Sequence, residues 1–270
     1  AFDDNAIAVD KRPLVAGQKA TLLNYTSYTR GINGIMIDVA QLADPDSLSV
    51  ADFEFRVGNN NAPASWPLLA LDPSELTVSV RPGDGVDGSD RVTILFPDGA
   101  VKKIWLQVTV KASAATGLAA ADVHYWGNAI GEAGNSPDDA AVNVADQLGA
   151  RANPHTLLTP APIDDAYDYN RDSQVNVQDE LIARSNPSTL LTDLNLIDLR
   201  GEGEGEGGDE NGSDGLGFWG GGSLSGVELP LQSTFTSPPL IVSSGSSSSR
   251  YVFPTAPVLP DVARENRREA

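Results

Sequence analysis

The feature that most constrains this chain of 270 residues is an internal repeat. Thirteen residues that begin at Val142 recur 33 residues later, beginning at Val175, and nine of the thirteen positions are identical. Each copy starts with Val-Asn-Val, continues through an aspartate and ends in Asn-Pro. Such a repeat predicts two copies of one supersecondary unit.

The second copy follows polar residues that have the spacing of a twelve-residue calcium loop. Ca²⁺ binds six to eight oxygens at about 2.3–2.6 Å, and alternate positions of a tight loop supply them. The expected ligands, at positions 1, 3, 5, 7, 9 and 12, are Asp168, Asn170, Asp172, Gln174 through its backbone carbonyl, Asn176 and Asp179. Ser173 stands at position 6, where Gly is usual, and we expect some backbone strain there. We also expect Val175, at position 8, to pair with its counterpart in the first copy.

The first copy fits the same spacing less well. Counting back from Asp146 predicts these ligands, at positions 1, 5, 7, 9 and 12: Asn135, Asp139, Ala141, Asn143 and Asp146. Position 3 falls on Pro137, which has no side-chain oxygen. A longer loop, with Asn128, Glu132 or Asp138 as a substitute ligand, is the alternative.

One or two calcium ions are therefore expected. The alternatives are an Asx-rich turn before a helix in the second copy, and a loop that keeps the fold without binding metal in the first.

Two such loops, each followed by a short helix, resemble a type I dockerin. The motif Asp-x-Asn-x-Asp-x-x-Val-Asn-x-x-Asp, from Asp168 to Asp179, carries the resemblance, which covers residues 118–199. The resemblance implies a noncatalytic module that binds a cohesin domain and attaches proteins to scaffolds or surfaces. Family members often have Ser or Thr at positions 10 and 11, which help to select the cohesin. Here those positions are Val144, Ala145, Val177 and Gln178, so a partner within the same chain is an alternative.

A broader resemblance covers residues 30–199, which are similar to the C-terminal region of large secreted bacterial proteins that end in a dockerin-like pair. It is carried by Arg30–Met36, Phe53–Asn60, Tyr125–Gly131 and Ala183–Asn186. It implies an extracellular or cell-surface location.

Upstream of the repeat, residues 1–112 carry short β-prone runs separated by turn signals such as Pro82-Gly83-Asp84-Gly85. Several runs alternate apolar and polar residues, which is typical of half-buried strands. The runs are Ala6–Val9, Ala20–Leu23, Gly34–Val39, Phe53–Val57, Leu76–Val80, Arg91–Phe96 and Ile104–Val110. Seven short strands predict a β-sandwich of immunoglobulin-like architecture.

The rest of the chain is predicted to form two further regions, so that the whole is mainly β. Residues 113–199 form the small α-helical dockerin-like pair, with helices near Asp146–Arg151 and Asp179–Arg184 and a third at Leu190–Leu196. Residues 200–270 form a Gly/Ser/Pro-rich acidic linker and an extended tail. Three runs of the tail are predicted to add strands to a sheet edge: Ser233–Thr236, Leu240–Ser243 and Tyr251–Phe253.

Charge and composition bear on the partners. The net charge of −19 argues against nucleic acid and anionic membranes, and suits a protein that holds cations. The lack of Cys excludes disulfides and Cys-based metal sites. No apolar run approaches the roughly 18 residues of a membrane span, so we expect no membrane insertion. The sequence has no basic segment followed by an apolar stretch, which is the pattern of a signal peptide. A start at Ala1 fits a mature or trimmed chain.

Catalytic motifs are missing from the sequence. The two histidines, His124 and His155, belong to no nucleophile or metal motif, and no Gly-x-Ser-x-Gly or phosphate loop occurs. We therefore expect no enzyme. The leading hypothesis is an extracellular calcium-binding structural module, a subunit or attachment region of an assembly, whose protein partner is another copy or a cohesin-like surface protein. The alternative is a dockerin-type adhesion module that anchors an upstream secreted enzyme.

Overall fold

Most of the described chain is a β region of two sheets that face each other like a sandwich. The computed structural model describes residues 3–189 and 191–201, and the backbone of residues 249–254. The strands are β1 (Ile7–Ala8), β2 (Tyr25–Thr26), β3 (Gly34–Val39), β4 (Phe53–Gly58), β5 (Thr77–Arg81), β6 (Asp90–Leu95), β7 (Trp105–Val110), β8 (Asp122–Asn128) and β9 (Ser249–Pro254).

The strand order of each sheet is simple. One sheet has the order β2-β8-β7-β4, with β7 antiparallel to both neighbours and β2 parallel to β8. The other has the antiparallel order β3-β6-β5. Strand β9 extends it, because β9 pairs with the free edge of β3 and with β1 beyond.

The alternation of β7 shows how the sequence builds this arrangement. Leu106, Val108 and Val110 are buried in the core between the sheets, where Ile35 and Ile94 meet them from the other side. Trp105 belongs to a second apolar cluster on the opposite face of the same sheet. This sheet is therefore buried on both faces.

Residues 194–199 cover part of that opposite face. Leu194, Leu196 and Ile197 pack in the second cluster, and the indole N–H of Trp105 donates to the carbonyl of Asn195 at 2.7 Å. The predicted helix at Leu190–Leu196 is wrong for the described residues 191–196. The reason is that residues 191–193 form a turn, after which Leu194 and Leu196 pack on the sheet.

Strands β3 to β7 confirm five of the seven predicted runs, and Ile7–Ala8 confirms the middle of a sixth. The prediction at Ala20–Leu23 is wrong, because Leu22–Asn24 forms a 3-10 turn capped by the side chain of Thr21. Strand β8 was not predicted, and it takes the β region past residue 112 to Asn128.

Two short helices follow the β region and pack together: α1 (Val144–Ala152) and α2 (Val177–Ser185). They confirm the two helices predicted from the repeat. Neither they nor any other helix among the described residues is long and apolar enough to span a membrane. Strand β9 confirms the predicted tail run Tyr251–Phe253; the other two tail runs, Ser233–Thr236 and Leu240–Ser243, lie outside the described residues.

Candidate metal-binding loops

Both helices of the repeat begin with the same reciprocal cap. The Asn143 side chain accepts the N–H two residues on at 2.8 Å, and Asp146 Oδ2 accepts the N–H of Asn143 at 2.8 Å. In the second copy the matching distances are 2.7 Å at Asn176 and 3.0 Å at Asp179. This is a capping box, in which side chains satisfy backbone N–H groups that a helix start leaves free. The Asn and Asp of each copy therefore help to start the helix.

The other oxygen of each aspartate closes its loop. Asp179 Oδ1 accepts the N–H of Tyr169 at 2.9 Å, and Asp146 Oδ1 accepts the N–H of Ala133 at 2.9 Å. Tyr169 is the second residue of the second loop, so Ala133 takes the second position in the first loop. The first position of the first loop is therefore Glu132.

The middle positions of the two loops match as well. In each loop the central aspartate, Asp172 or Asp139, accepts at Oδ1 the N–H two residues on, at 2.9 Å and 3.1 Å respectively. Asp172 Oδ2 accepts the side-chain amide of Asn170 at 3.1 Å, and Asp139 Oδ2 accepts the hydroxyl of Ser136 at 2.9 Å. Ser136 therefore stands where Asn170 stands, at position 3.

This register corrects the prediction for the first loop. The loop has fifteen residues, 132–146, against twelve in 168–179. Asn135, predicted at position 1, is exposed and lies three residues beyond the observed first position. Pro137 is not at position 3. The count failed because the three extra residues lie ahead of the repeated segment, where the two copies no longer resemble each other.

The first and last acidic residues of both loops are buried. Glu132 and Asp146 are 1% and 0% exposed, and Asp168 and Asp179 are 2% and 0% exposed. Burial raises the pKa of Asp168 to about 6, against the opposing charge of Arg171, and burial also raises the pKa of Asp179 and of Glu132. Burial therefore makes negative charge less favourable at three of these acids, Asp168, Asp179 and Glu132, and a bound cation would offset that cost.

The remaining predicted ligands are more accessible. They are half-buried or exposed, and they are Asn170, Asp172, Gln174, Asn176, Asp139, Ala141 and Asn143. The carbonyl of Ala141, at position 7, accepts the side-chain amide of Asn143, at position 9, at 3.0 Å. These positions form the outer side of each loop, and the buried acids form its inner side.

The loops have different backbones. Arg171 (φ 57°) and Ser173 (φ 65°) adopt the left-handed region in the second loop, which confirms the strain expected at position 6. In the first loop, Ala140 takes the place of Ser173 and is outside that region. The three extra residues therefore allow the first loop to turn without left-handed side-chain-bearing residues.

Each loop pairs with the segment that follows the helix of the other copy. Val175 and His155 exchange two backbone hydrogen bonds of 3.0 Å and 3.1 Å. Val142 accepts the N–H of Ser188 at 3.0 Å and donates to its hydroxyl at 2.7 Å. The predicted pairing of Val175 with Val142 is therefore wrong, because the backbone of each valine is used by the exit of the opposite helix.

Small residues let the two copies approach each other. A Cβ on Gly149, in α1, would lie 2.4 Å from Cε1 of Tyr167, the residue before the second loop. A Cβ on Gly131, the residue before the first loop, would lie 3.0 Å from the Cα of Ala183 in α2. The glycine lies in the helix in the first contact, and ahead of the loop in the second contact.

Both loops also contact the β region. The hydroxyl of Tyr25, in β2, donates to the Glu132 carboxylate of the first loop. From the second loop, Arg171 donates to the hydroxyl of Ser27 at 3.4 Å and to the carbonyl of Asp165. The β region of the same chain is thus in direct contact with the repeat pair.

The donor set was compared with what calcium requires. In residues 3–189 and 191–201, no three His, Asp or Glu side chains are grouped so that they could hold a metal ion. Amide and backbone carbonyl oxygens are half of the ligands expected in the second loop. All expected donors of both loops are oxygens, as Ca²⁺ prefers, and each loop includes two buried acids. The donor chemistry therefore fits calcium, and the ligand sphere is not preformed.

The two histidines make packing and pairing contacts within the fold. His124 is fully buried in β8, with its ring edge-on to Trp126 at 6.1 Å between centroids. His155 pairs with Val175 and lies 3.5 Å from the carboxylate of Asp165.

Comparison with known proteins adds no family to this description: no family model matches the chain, and no curated protein or solved structure matches it significantly. The functional argument therefore rests on the geometry of the repeat.

Proposed function

We propose that this chain is a noncatalytic, extracellular calcium-binding module with a structural role, in which each copy of the repeat binds one Ca²⁺. The β region is proposed to be an immunoglobulin-like sandwich, and the repeat pair a dockerin-like unit. The proposed ligands of the second loop are Asp168, Asn170, Asp172, Gln174 through its carbonyl, Asn176 and Asp179. In the first loop they are Glu132, Ser136, Asp139, Ala141 through its carbonyl, Asn143 and Asp146.

One observation carries the proposal: two loops of different length and sequence are closed in the same way. In both, a buried acid at position 1 is followed by a backbone N–H that binds the buried aspartate at position 12. Capping of the helices accounts for one oxygen of that aspartate, and loop closure for the other. The second buried acid beside it accepts backbone N–H groups of its own loop, and a divalent cation would neutralise its charge.

The helices favour a protein partner for the module. Val144 and Leu148 on α1 are 65% and 49% exposed, and their equivalents Val177 and Leu181 on α2 are 63% and 48% exposed. The same apolar pair is thus presented twice, and it includes position 10 of each loop. This surface supports both an assembly subunit and the alternative, an adhesion module that anchors an upstream enzyme.

Calorimetric titration of the chelator-treated full chain with Ca²⁺ tests the calcium proposal. We expect two binding events, with dissociation constants in the range of about 10⁻⁴ to 10⁻³ M that is typical of extracellular modules. Asp146→Asn and Asp179→Asn should each remove one event, because each removes a charged ligand. The matched control is Asp87→Asn, which makes the same charge change at an exposed turn of the β region.

A titration without heat, and without any change in melting temperature up to 10-fold above that range, would overturn the proposal. So would equal loss of binding in the Asp87→Asn control, since that would indicate a general effect of net charge. Circular dichroism of each variant checks that the helices remain.

Sedimentation velocity separates the two forms of the function. Large species in calcium that dissociate on chelation are expected for an assembly subunit. A monomer in both conditions would contradict self-assembly and favour the anchoring module, whose partner is a different protein.

A further inference from the structure

A buried hydrogen bond between two side chains, from Tyr25 to Glu132, joins the first loop to the β region. Tyr25 is 1% exposed and packs in the apolar cluster that contains Trp105 and Leu194. Its backbone pairs with Gly127 of β8, and a Cβ on Gly127 would lie only 2.7 Å from Cβ of Tyr25. The ring is therefore tightly held in the β region, while its hydroxyl reaches the repeat.

The carboxylate that receives this hydroxyl is held from two sides. Glu132 Oε2 accepts the Tyr25 hydroxyl, and Glu132 Oε1 accepts the N–H of Gly134 at 2.8 Å. In the second loop, Asp168 accepts only backbone N–H groups of its own loop among the hydrogen bonds described, from Asp172 at 3.2 Å and Ser173 at 2.9 Å. Asp168 is thus oriented by its own loop alone among these hydrogen bonds. Glu132 is oriented both by its own loop and by Tyr25 of the β region.

We propose that Tyr25 is a positioning residue for the first loop, which orients Glu132 for cation binding and thereby links occupancy of this loop to the packing of β2 against β8. The inference rests on the proposed calcium-binding function. Linkage is reciprocal: if the Tyr25 contact strengthens cation binding, then the bound cation must strengthen the contact by the same factor. The second loop has no equivalent of this contact among the described residues, and its affinity is independent of Tyr25.

The test is calorimetric titration of the full chain with Ca²⁺ in an Asp179→Asn background, in which only the first loop binds. Tyr25→Phe keeps the buried ring and removes the hydroxyl. We expect it to weaken calcium binding at the first loop about tenfold, the usual size of a lost hydrogen bond to a charged group. In the Asp146→Asn background, the same substitution should leave binding at the second loop unchanged within twofold.

Tyr28→Phe is the matched control. Tyr28 is equally buried, but its hydroxyl has no hydrogen-bond partner among the described residues, so its loss should change neither site. Equal weakening of both sites by Tyr25→Phe would indicate a general loss of structure and overturn the inference. So would an unchanged first site.

A second measurement needs no substitution. Hydrogen exchange of the unmodified chain should show that calcium slows exchange at the amides of β2 and β8, and leaves β5 and β6 unchanged. Uniform protection of all four strands, or none, contradicts the linkage. The outcomes separate the two proposals: no calcium binding by either background refutes the calcium function, whereas binding that is insensitive to Tyr25 refutes the linkage alone.

Discussion

The two copies of the repeat are almost the same from position 8 of the loop to the end of the helix, and different before it. The common half includes the caps, the crossed backbone pairs and the packing of α1 on α2. The different half includes the three extra residues and the contacts with the β region. The common half thus carries the caps and the crossed backbone pairs, while the different half attaches each loop to the β region by different contacts.

The largest expected effect is on the free energy of unfolding, and it tests whether both copies bind calcium. At a calcium concentration 100-fold above the dissociation constant, each occupied loop should add about 2.7 kcal/mol to the free energy of unfolding. Two loops should add about 5 kcal/mol, and Asp146→Asn or Asp179→Asn should each remove half. Urea unfolding with and without chelator, followed by tryptophan fluorescence, measures the increment. If one variant removes the whole increment, only one copy binds and the equivalence of the loops is wrong.

The loss of stability at low pH is a second way to compare the loops. The contribution of His124, in β8, must first be separated from the contribution of the loops' carboxyl groups. Burial lowers the pKa of His124 to about 3, against about 6.5 in an unfolded chain. The folded state therefore excludes a proton that the unfolded state accepts, so this contribution to stability is complete above pH 6.5 and is lost as pH falls towards 3. By pH 4.5 the loss should be about 2.7 kcal/mol.

The measurement is the difference in unfolding free energy between the unmodified chain and His124→Gln, in chelator, from pH 7 to pH 4.5. The difference should shrink with falling pH, and what remains of the acid response belongs to the loops and other carboxyls. Parallel curves for His124→Gln would contradict the prediction.

The packing between copies can be broken by making α1 resemble α2. Gly149→Ile introduces the residue that α2 carries at the equivalent position, Ile182, and should destabilise the chain by about 2 kcal/mol, because the new side chain overlaps Tyr167. Tyr167→Gly, which copies Gly131, should restore part of the loss when the two changes are combined. Thermal unfolding of the single and double variants measures this, and additive losses would show that the two positions do not interact.

The smallest expected effect concerns the backbone. Ser173→Gly should stabilise the second loop by about 1 kcal/mol, because only glycine adopts the left-handed region without cost. Ala140→Gly, at the equivalent position of the first loop, should destabilise by a similar amount, because no such strain exists there and glycine adds chain entropy. Chemical unfolding compares the two, and the same sign for both would contradict the difference in backbone.

Local signals predicted the parts of the fold that local interactions determine. Strands β3 to β7 follow from their alternation, and α1 and α2 from Asn followed three residues later by Asp. Strand β8 was missed because its segment contains only one β-branched residue, Val123, and lies in an Ala- and Asn-rich region. The segment Leu190–Leu196 was misread as a helix because Leu194 and Leu196 pack on a sheet that is distant in sequence.

The candidate site was predictable to the extent that it is repeated. The proposed ligands of the second loop follow from spacing alone. The sequence predicts Glu132 only as one of three substitute ligands of the first loop, because residue spacing cannot show where in that loop the extra residues are inserted. The hydrogen bond from Ala133 to Asp146 identifies it, and that contact depends on the folded loop.

The crossed pairs at Val142 and Val175 have a consequence for folding. Each loop obtains its backbone partner from the other copy, so an isolated copy would leave that partner missing and the buried valine exposed. The two copies therefore form one cooperative folding unit, and a peptide that contains either copy alone should remain unstructured. A duplication has in this way produced two halves that depend on each other, so neither can be deleted, or transplanted alone into another protein, without loss of both.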